Sequence, residues 1–219
     1  MLTRVLSSGL CVGLCVGLLA GCARPGPTAD LAGISAVTTS FGPQFTVTEV
    51  APTGIDPALL AGQPLPDGLR FDPPGCARLA TARPVPPGTE GNMAAVSAEG
   101  EGNRFIVFAV ETSVPIPVDK PESGCTRVAF AGDTVRGTVE QVQAPEIDGA
   151  QTLGVHRVVQ TMVEGSARTG ELYSYSAHFG DYQVIVSANP LVVPGTPVRP
   201  VDTRRARDLL VAGVNAVRR

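Results

Sequence analysis

The strongest constraint on the fold is a pair of β-prone segments that agree on one hairpin register. Glu171 to Phe179 and Tyr182 to Ala188 are separated by Gly180-Asp181, and glycine first in a two-residue loop favours a type II′ turn. One face of this hairpin then pairs only apolar or aromatic residues: Phe179 with Tyr182, Ala177 with Val184, Tyr175 with Val186, and Tyr173 with Ala188. A shift of one residue would turn every side chain of a strand to the other face. Because the apolar residues of both strands fall on one face in this register, the sequence predicts it.

The opposite face of the hairpin is predominantly polar. It pairs His178 with Gln183, Ser176 with Ile185, and Ser174 with Ser187. One interpretation is a solvated face, which antiparallel sheets commonly have. The other is the floor of a cleft, because small side chains on a curved sheet leave room for a ligand and supply hydrogen bonds. On this second interpretation the ligand-binding residues are Ser174, Ser176, His178 and Gln183.

The segments around the hairpin predict a larger sheet covered by helices. Residues 152–163 are typical of another strand, which gives an antiparallel meander of at least three strands. Asp202 is suited to cap a terminal helix whose apolar residues recur at helical spacing: Ala206, Leu209, Leu210, Gly213, Val214 and Val217. We expect this helix to cross the aromatic face. The predicted fold class is α+β, an antiparallel β-sheet meander with helices packed on one face, including the C-terminal helix.

The N-terminal segment predicts export. An apolar run from about Val5 to Ala20 follows the single positive charge of Arg4 and is too short to span a bilayer comfortably. It ends in Leu19-Ala20-Gly21-Cys22, which resembles a bacterial lipobox. The resemblance implies a signal peptide that is cleaved before Cys22 and a diacylglyceryl group on the Cys22 thiol. The expected location is the extracytoplasmic side of the cell membrane, with the membrane as a partner through the lipid anchor.

The chain is therefore predicted to have three parts. Residues 1–21 form the lipoprotein signal peptide. Residues 22–40 are rich in Pro, Gly, Ser, Thr and Ala without apolar periodicity, which is typical of a flexible tether. Residues 41–219 have the length of a single α+β extracytoplasmic domain.

Two cysteines remain in the predicted domain, Cys76 and Cys125. An exported chain with one remaining pair of thiols favours a disulfide bond between them. Two isolated thiols without a neighbouring histidine do not make a zinc site.

The sequence contains no arrangement typical of catalysis, so we expect a protein that is not an enzyme and that has no catalytic residues, metal or cofactor. Neither His156 nor His178 has metal-ligand spacing. Gly165-Ser166-Ala167 lacks the second glycine of a nucleophile elbow. The formal net charge of −3 argues against nucleic acid as a partner.

The composition and the C-terminal pattern indicate a source and a family. Basic residues are almost all arginine, and Ala, Gly, Val and Pro are abundant, which is typical of a high-GC actinobacterium. The pattern of Tyr173-Ser-Tyr175, Gly180-Asp181, alternating valines, Asn189-Pro190 and a terminal helix resembles mycobacterial lipoproteins that carry an uncharacterised domain. That group is distantly similar to the extracellular sensor domain of the receptor kinase PknH. The resemblance implies an α+β sheet domain outside the membrane with a ligand cleft. The function we expect is a lipid-tethered binding or sensor domain for an unknown envelope ligand or protein, and the alternatives are a lipid or glycolipid carrier and an envelope hydrolase.

Overall fold

The computed structural model describes residues 29–56, 65–81, 85–118 and 123–218, and within these ranges nine antiparallel strands form one sheet. The strands are β1 (Phe45–Gly54), β2 (Arg70–Asp72), β3 (Gly91–Gly100), β4 (Asn103–Thr112), β5 (Arg127–Ala131), β6 (Val135–Val142), β7 (Gln151–Val163), β8 (Ser166–Phe179) and β9 (Tyr182–Pro190). Their order across the sheet is β1-β3-β4-β9-β8-β7-β6-β5-β2. The fold is therefore predominantly β with a few helices, so the antiparallel sheet and the C-terminal helix of the predicted fold are confirmed.

The β8–β9 hairpin has the register that the sequence predicts. Gly180 lies in the turn with a φ of 60°, a conformation that glycine adopts without steric cost. All seven predicted pairs of the two faces are present, from Phe179 opposite Tyr182 to Tyr173 opposite Ala188. β7 pairs with β8 along its whole length, so the meander is also confirmed.

The aromatic face of the hairpin is covered by two helices. The terminal helix α1 (Thr203–Val217) begins where the carboxylate of Asp202 accepts a hydrogen bond of 2.9 Å from the backbone N–H of Arg205. Its predicted apolar stripe is buried and packs with Tyr175, Phe179 and the facing residues of β4 and β9. The C-terminal helix and its place on the aromatic face are thus confirmed.

The second helix on this face is a 3-10 helix at Leu31–Ser40. Its buried residues Leu31, Ile34 and Val37 belong to the same core as α1. The backbone N–H of Asp30 also donates to the carbonyl of Val217, at 2.8 Å. Residues 31–40 are therefore part of the domain, which corrects the predicted boundary at residue 41. The predicted signal peptide and Cys22 lie outside the described residues.

A smaller core lies on the other face of the sheet. Val139 of β6 belongs to it, whereas Val142, three residues further along the strand, packs against the larger core. Successive side chains of a strand alternate between faces, so the two cores lie on opposite sides. A short 3-10 helix at Pro74–Leu79 supplies Cys76 to the smaller core. In addition to the helices on the predicted face, a short 3-10 helix therefore lies on the other face of the sheet.

The disulfide bond between Cys76 and Cys125 is present and fastens this short helix to the segment before β5. Both cysteines are buried, at 6% and 8% exposure. The bond therefore links two short segments of the smaller core covalently.

Candidate functional site

The hairpin brings three polar side chains together on the face opposite α1. Ser176 and His178 are two residues apart on β8 and share a face, and His178 is directly opposite Gln183 of β9. We call these three residues the polar cluster. They are 5%, 8% and 8% exposed, respectively. The interpretation of this face as solvated is therefore wrong for these residues, because the polar cluster is buried.

Two hydrogen bonds meet at one ring nitrogen. His178 Nε2 is 3.2 Å from Ser176 Oγ and 3.1 Å from Gln183 Nε2. The amide nitrogen of glutamine is a donor only, so His178 Nε2 is its acceptor and the neutral ring then has its hydrogen on Nδ1. Both partners compete for a single lone pair, and the serine hydroxyl is left free to turn toward another acceptor.

The amide oxygen of Gln183 is buried and has no hydrogen-bond partner among the described residues. Leaving a buried acceptor unpaired costs about 1–3 kcal/mol. Native structures satisfy most such groups, and the exceptions call for an explanation such as a functional role. In this orientation of the amide, the unpaired polar atom of the cluster is therefore an acceptor.

Ser174, the fourth residue predicted to bind a ligand, lies on the same face. It is opposite Ser187 of β9 and Val155 of β7 and is half-buried. Within the part of the chain that the structure describes, no hydrogen bond joins it to the polar cluster. Ser174 therefore lies next to Ser176 on this face of β8 but is not part of the hydrogen-bonded polar cluster.

Apolar side chains surround the polar cluster on this face. Val110 and Leu153 are buried beside it, opposite Gln183 and Ser176 in the strand register. Further apolar side chains of the same face are only half-buried; they are Ile106, Phe108, Ile185 and Val155. A few polar groups placed among apolar side chains are one feature of small-molecule sites.

Sequence reasoning missed this apolar floor. The segment that became β4 is continuously apolar, and such a run is ambiguous between burial on both faces and burial on one. In the structure Phe105 and Val107 are buried under the helices, whereas Ile106 and Phe108 are half-buried on the side of the polar cluster.

His156 lies on the opposite face from the polar cluster. Its Nε2 is 2.9 Å from the carboxylate of Glu171, and its ring stacks on Tyr173 with centroids 4.1 Å apart. These contacts hold the imidazole between two strands of the meander. Among the described residues no group of three or more His, Cys, Asp or Glu side chains is placed to hold a metal ion.

The polar cluster differs from a hydrolytic triad in one respect. In a triad the serine and the orienting group bind different nitrogens of the histidine. Here Ser176 and Gln183 both face Nε2 of His178. The arrangement of Ser176 and Gln183 about this histidine is therefore not that of a triad.

One cationic side chain on this face was also missed by sequence reasoning. Arg157 of β7 donates from Nη2 to the carbonyl of Ala80, at 3.0 Å. Burial lowers the pKa of its guanidinium from the ordinary value, because the charged form loses hydration. The sequence does carry a signal for its place on this face, because Leu153, Val155 and Arg157 occupy alternate positions of one strand.

Comparison with known proteins places these features in a wider group. A model of the family described as a domain of unknown function, DUF5642, matches residues 30–218. The chain is also similar to the X-ray structure of an uncharacterised protein from Mycobacterium smegmatis, described as the Rv0999 orthologue. The two are 57% identical, the match covers 88% of this chain and 99% of that chain, and the TM-score is 0.82. No curated protein matches this chain.

Proposed function

This chain belongs to the DUF5642 family of domains of unknown function, and on that premise we propose that it is a lipid-anchored envelope protein with a sensor-like binding domain. The support for an anchor is the lipobox-like sequence that ends at Cys22. The support for binding is the buried polar cluster with the unpaired oxygen of Gln183. The similarity to the PknH sensor domain is part of this proposal, and the observation on Gln183 is the one that carries the binding function.

The distance between the anchor and the domain is limited by the chain itself. Among the described residues, Asp30 is hydrogen-bonded to the end of α1 and lies eight residues after Cys22. A fully extended chain reaches at most about 3.6 Å per residue, or roughly 29 Å over this segment. In the described ranges no helix is long and apolar enough to cross a membrane. The proposed protein is thus held within roughly one domain diameter of the bilayer.

Replacing Cys22 by Ala is expected to release the protein from the membrane, because only the thiol can form the thioether to lipid. The measurement is the distribution of the protein between membrane and aqueous fractions of a mycobacterial host. A Ser35→Ala variant, which changes an exposed side chain of the domain and keeps Cys22, is expected to remain in the membrane fraction. Membrane retention of Cys22→Ala would contradict the anchor.

Replacing Gln183 by Leu is expected to reduce ligand binding at least about tenfold without loss of stability. Leucine removes a buried unpaired oxygen that costs about 1–3 kcal/mol. It also removes the amide bond to His178 Nε2, but the Ser176 hydroxyl can donate to that nitrogen instead, so the thermal midpoint should stay the same or rise. A ligand that donates to that oxygen loses one hydrogen bond. The measurement is native mass spectrometry of the chain from Ala23, purified from a mycobacterial host, together with thermal unfolding.

The matched control for this experiment is Gln160→Leu. Gln160 is on β7 but on the opposite face, where its side chain bonds Arg136 and Thr169. Wild type and Gln160→Leu should retain the same non-covalent mass, and Gln183→Leu should lose it. An equal retained mass in Gln183→Leu, or a wild type without any retained mass, would count against the proposed site.

A further inference from the structure

Arg157 lies on the same face as the polar cluster, in the next strand. It is two positions beyond Val155, which is opposite Ser174, and four beyond Leu153, which is opposite Ser176. At about 3.3 Å per residue, the rows of Ser176 and Arg157 are about 13 Å apart. The intervening residue on β7 is Val155, a half-buried apolar side chain that also packs against the smaller core.

The guanidinium of Arg157 has no ionic partner in the described part of the chain. The arginine ion pairs found there involve Arg104 and Arg205 instead. Its observed partner is the neutral carbonyl of Ala80. A partly buried charge without a counter-ion is costly, and an arginine fork is suited to bind a carboxylate or phosphate through two parallel hydrogen bonds.

Charges on the described strands are divided between the two faces. Glu111, Glu140 and Glu171 lie on the helix-covered side, since they share a face with Tyr182, His156 and Tyr173 in the strand register. On the side of the polar cluster the strand carboxylate is Glu99, and it is bound to Arg104 at 2.6 Å. On the described strands, the carboxylate of this face is therefore already paired with an arginine other than Arg157.

From these observations we propose that the ligand of this face is an amphiphilic anion whose carboxylate or phosphate binds Arg157. Its apolar body lies on the floor formed by Val155, Ile185 and Phe108, and a polar group near its other end meets the polar cluster. This inference rests on the proposed function, because it names the chemical class of ligand for the same site. It also makes Arg157 a specificity-determining residue.

The test compares two probes that differ in charge, dodecanoate and dodecanol, by calorimetric titration of the chain from Ala23 below the probes' micelle concentrations. Wild type is expected to bind dodecanoate at least about tenfold more tightly than dodecanol, since a charge-assisted hydrogen bond is about twice as strong as a neutral one. Arg157→Gln should abolish this difference by weakening dodecanoate only, and Arg157→Lys should restore part of it.

The matched control variant is Arg168→Gln. Arg168 is an exposed arginine on β8, on the face of the polar cluster. Its substitution removes the same charge as Arg157→Gln but from a different position. This variant should bind both probes as wild type does. Inorganic phosphate is the third probe and should bind far more weakly than dodecanoate, because it lacks the apolar body.

Three results would overturn the proposal. They are equal binding of dodecanoate and dodecanol, unchanged dodecanoate binding by Arg157→Gln, and inorganic phosphate binding as tightly as dodecanoate. If Arg157→Gln fails to fold, the comparison of the probes on wild type decides alone. A failure here is distinguishable from failure of the proposed function, which the retained mass in wild type and Gln183→Leu tests separately.

Discussion

A chain that begins at residue 41 is expected not to fold, whereas a chain that begins at residue 29 is expected to fold as the full domain does. The shorter chain lacks Leu31, Ile34 and Val37, which are 7%, 2% and 1% exposed in the larger core. Burial of each such side chain stabilises by about 1.5–3 kcal/mol, so the loss is roughly 5–9 kcal/mol. That is comparable with the whole free energy of unfolding of a typical domain, about 5–15 kcal/mol.

The measurement is thermal unfolding followed by circular dichroism, with the chain from residue 29 as the reference. Ser35→Ala in the longer chain is the control, because Ser35 is on the exposed side of the same 3-10 helix and should leave the midpoint unchanged. A cooperative transition of the shorter chain at the reference temperature would show that these three side chains do not contribute to the core.

The error in the predicted tether has a specific physical origin. The buried residues Leu31, Ile34 and Val37 recur at every third position, which is the repeat of a 3-10 helix. A search for apolar residues at 3.6 or 2.0 residues per repeat does not detect this spacing, and the small and polar residues between them are typical of a linker. The partner that buries the stripe, α1, is more than 160 residues away along the chain.

The β8–β9 hairpin was predictable because several local signals constrain the same register. The turn glycine fixes the loop, and the apolar pairs of both strands agree with it. The burial of the polar face was not predictable in the same way. The burial of the polar face depends in part on Val110 of β4, and β4 is placed beside β9 by a contact between distant segments. Local patterns therefore identified the residues of the candidate site but not their environment.

For Arg157, too, local sequence patterns predict the position of the residue but not its surroundings. Its place on the face of the polar cluster follows from the pairing of β7 with β8, which the sequence indicated. Its lack of a carboxylate partner depends on β6 and on the segment around Ala80. Such a charge is visible only when the neighbouring strands are in place.

Replacing both Cys76 and Cys125 by Ala is expected to lower the free energy of unfolding by about 4 kcal/mol, the value that loop-closure entropy gives for a bond between residues 49 apart. For a domain of this size the thermal midpoint should fall by about 8–16 °C. The double variant is needed because a single substitution would leave a free thiol.

Two contributions to this loss of stability can be separated by experiment: the restriction of the unfolded chain by the bond, and the packing of the two cysteine side chains. The residues between the two cysteines include β3 and β4, so the bond closes a loop that contains central strands of the sheet. Because the bond restricts the unfolded chain, its loss should expose more surface on unfolding and raise the slope of the free energy against denaturant concentration. Wild type under reducing conditions keeps both side chains and is the matched control, which should show the same loss of stability. A smaller loss in reduced wild type than in the double variant would instead assign the difference to packing of the two buried side chains.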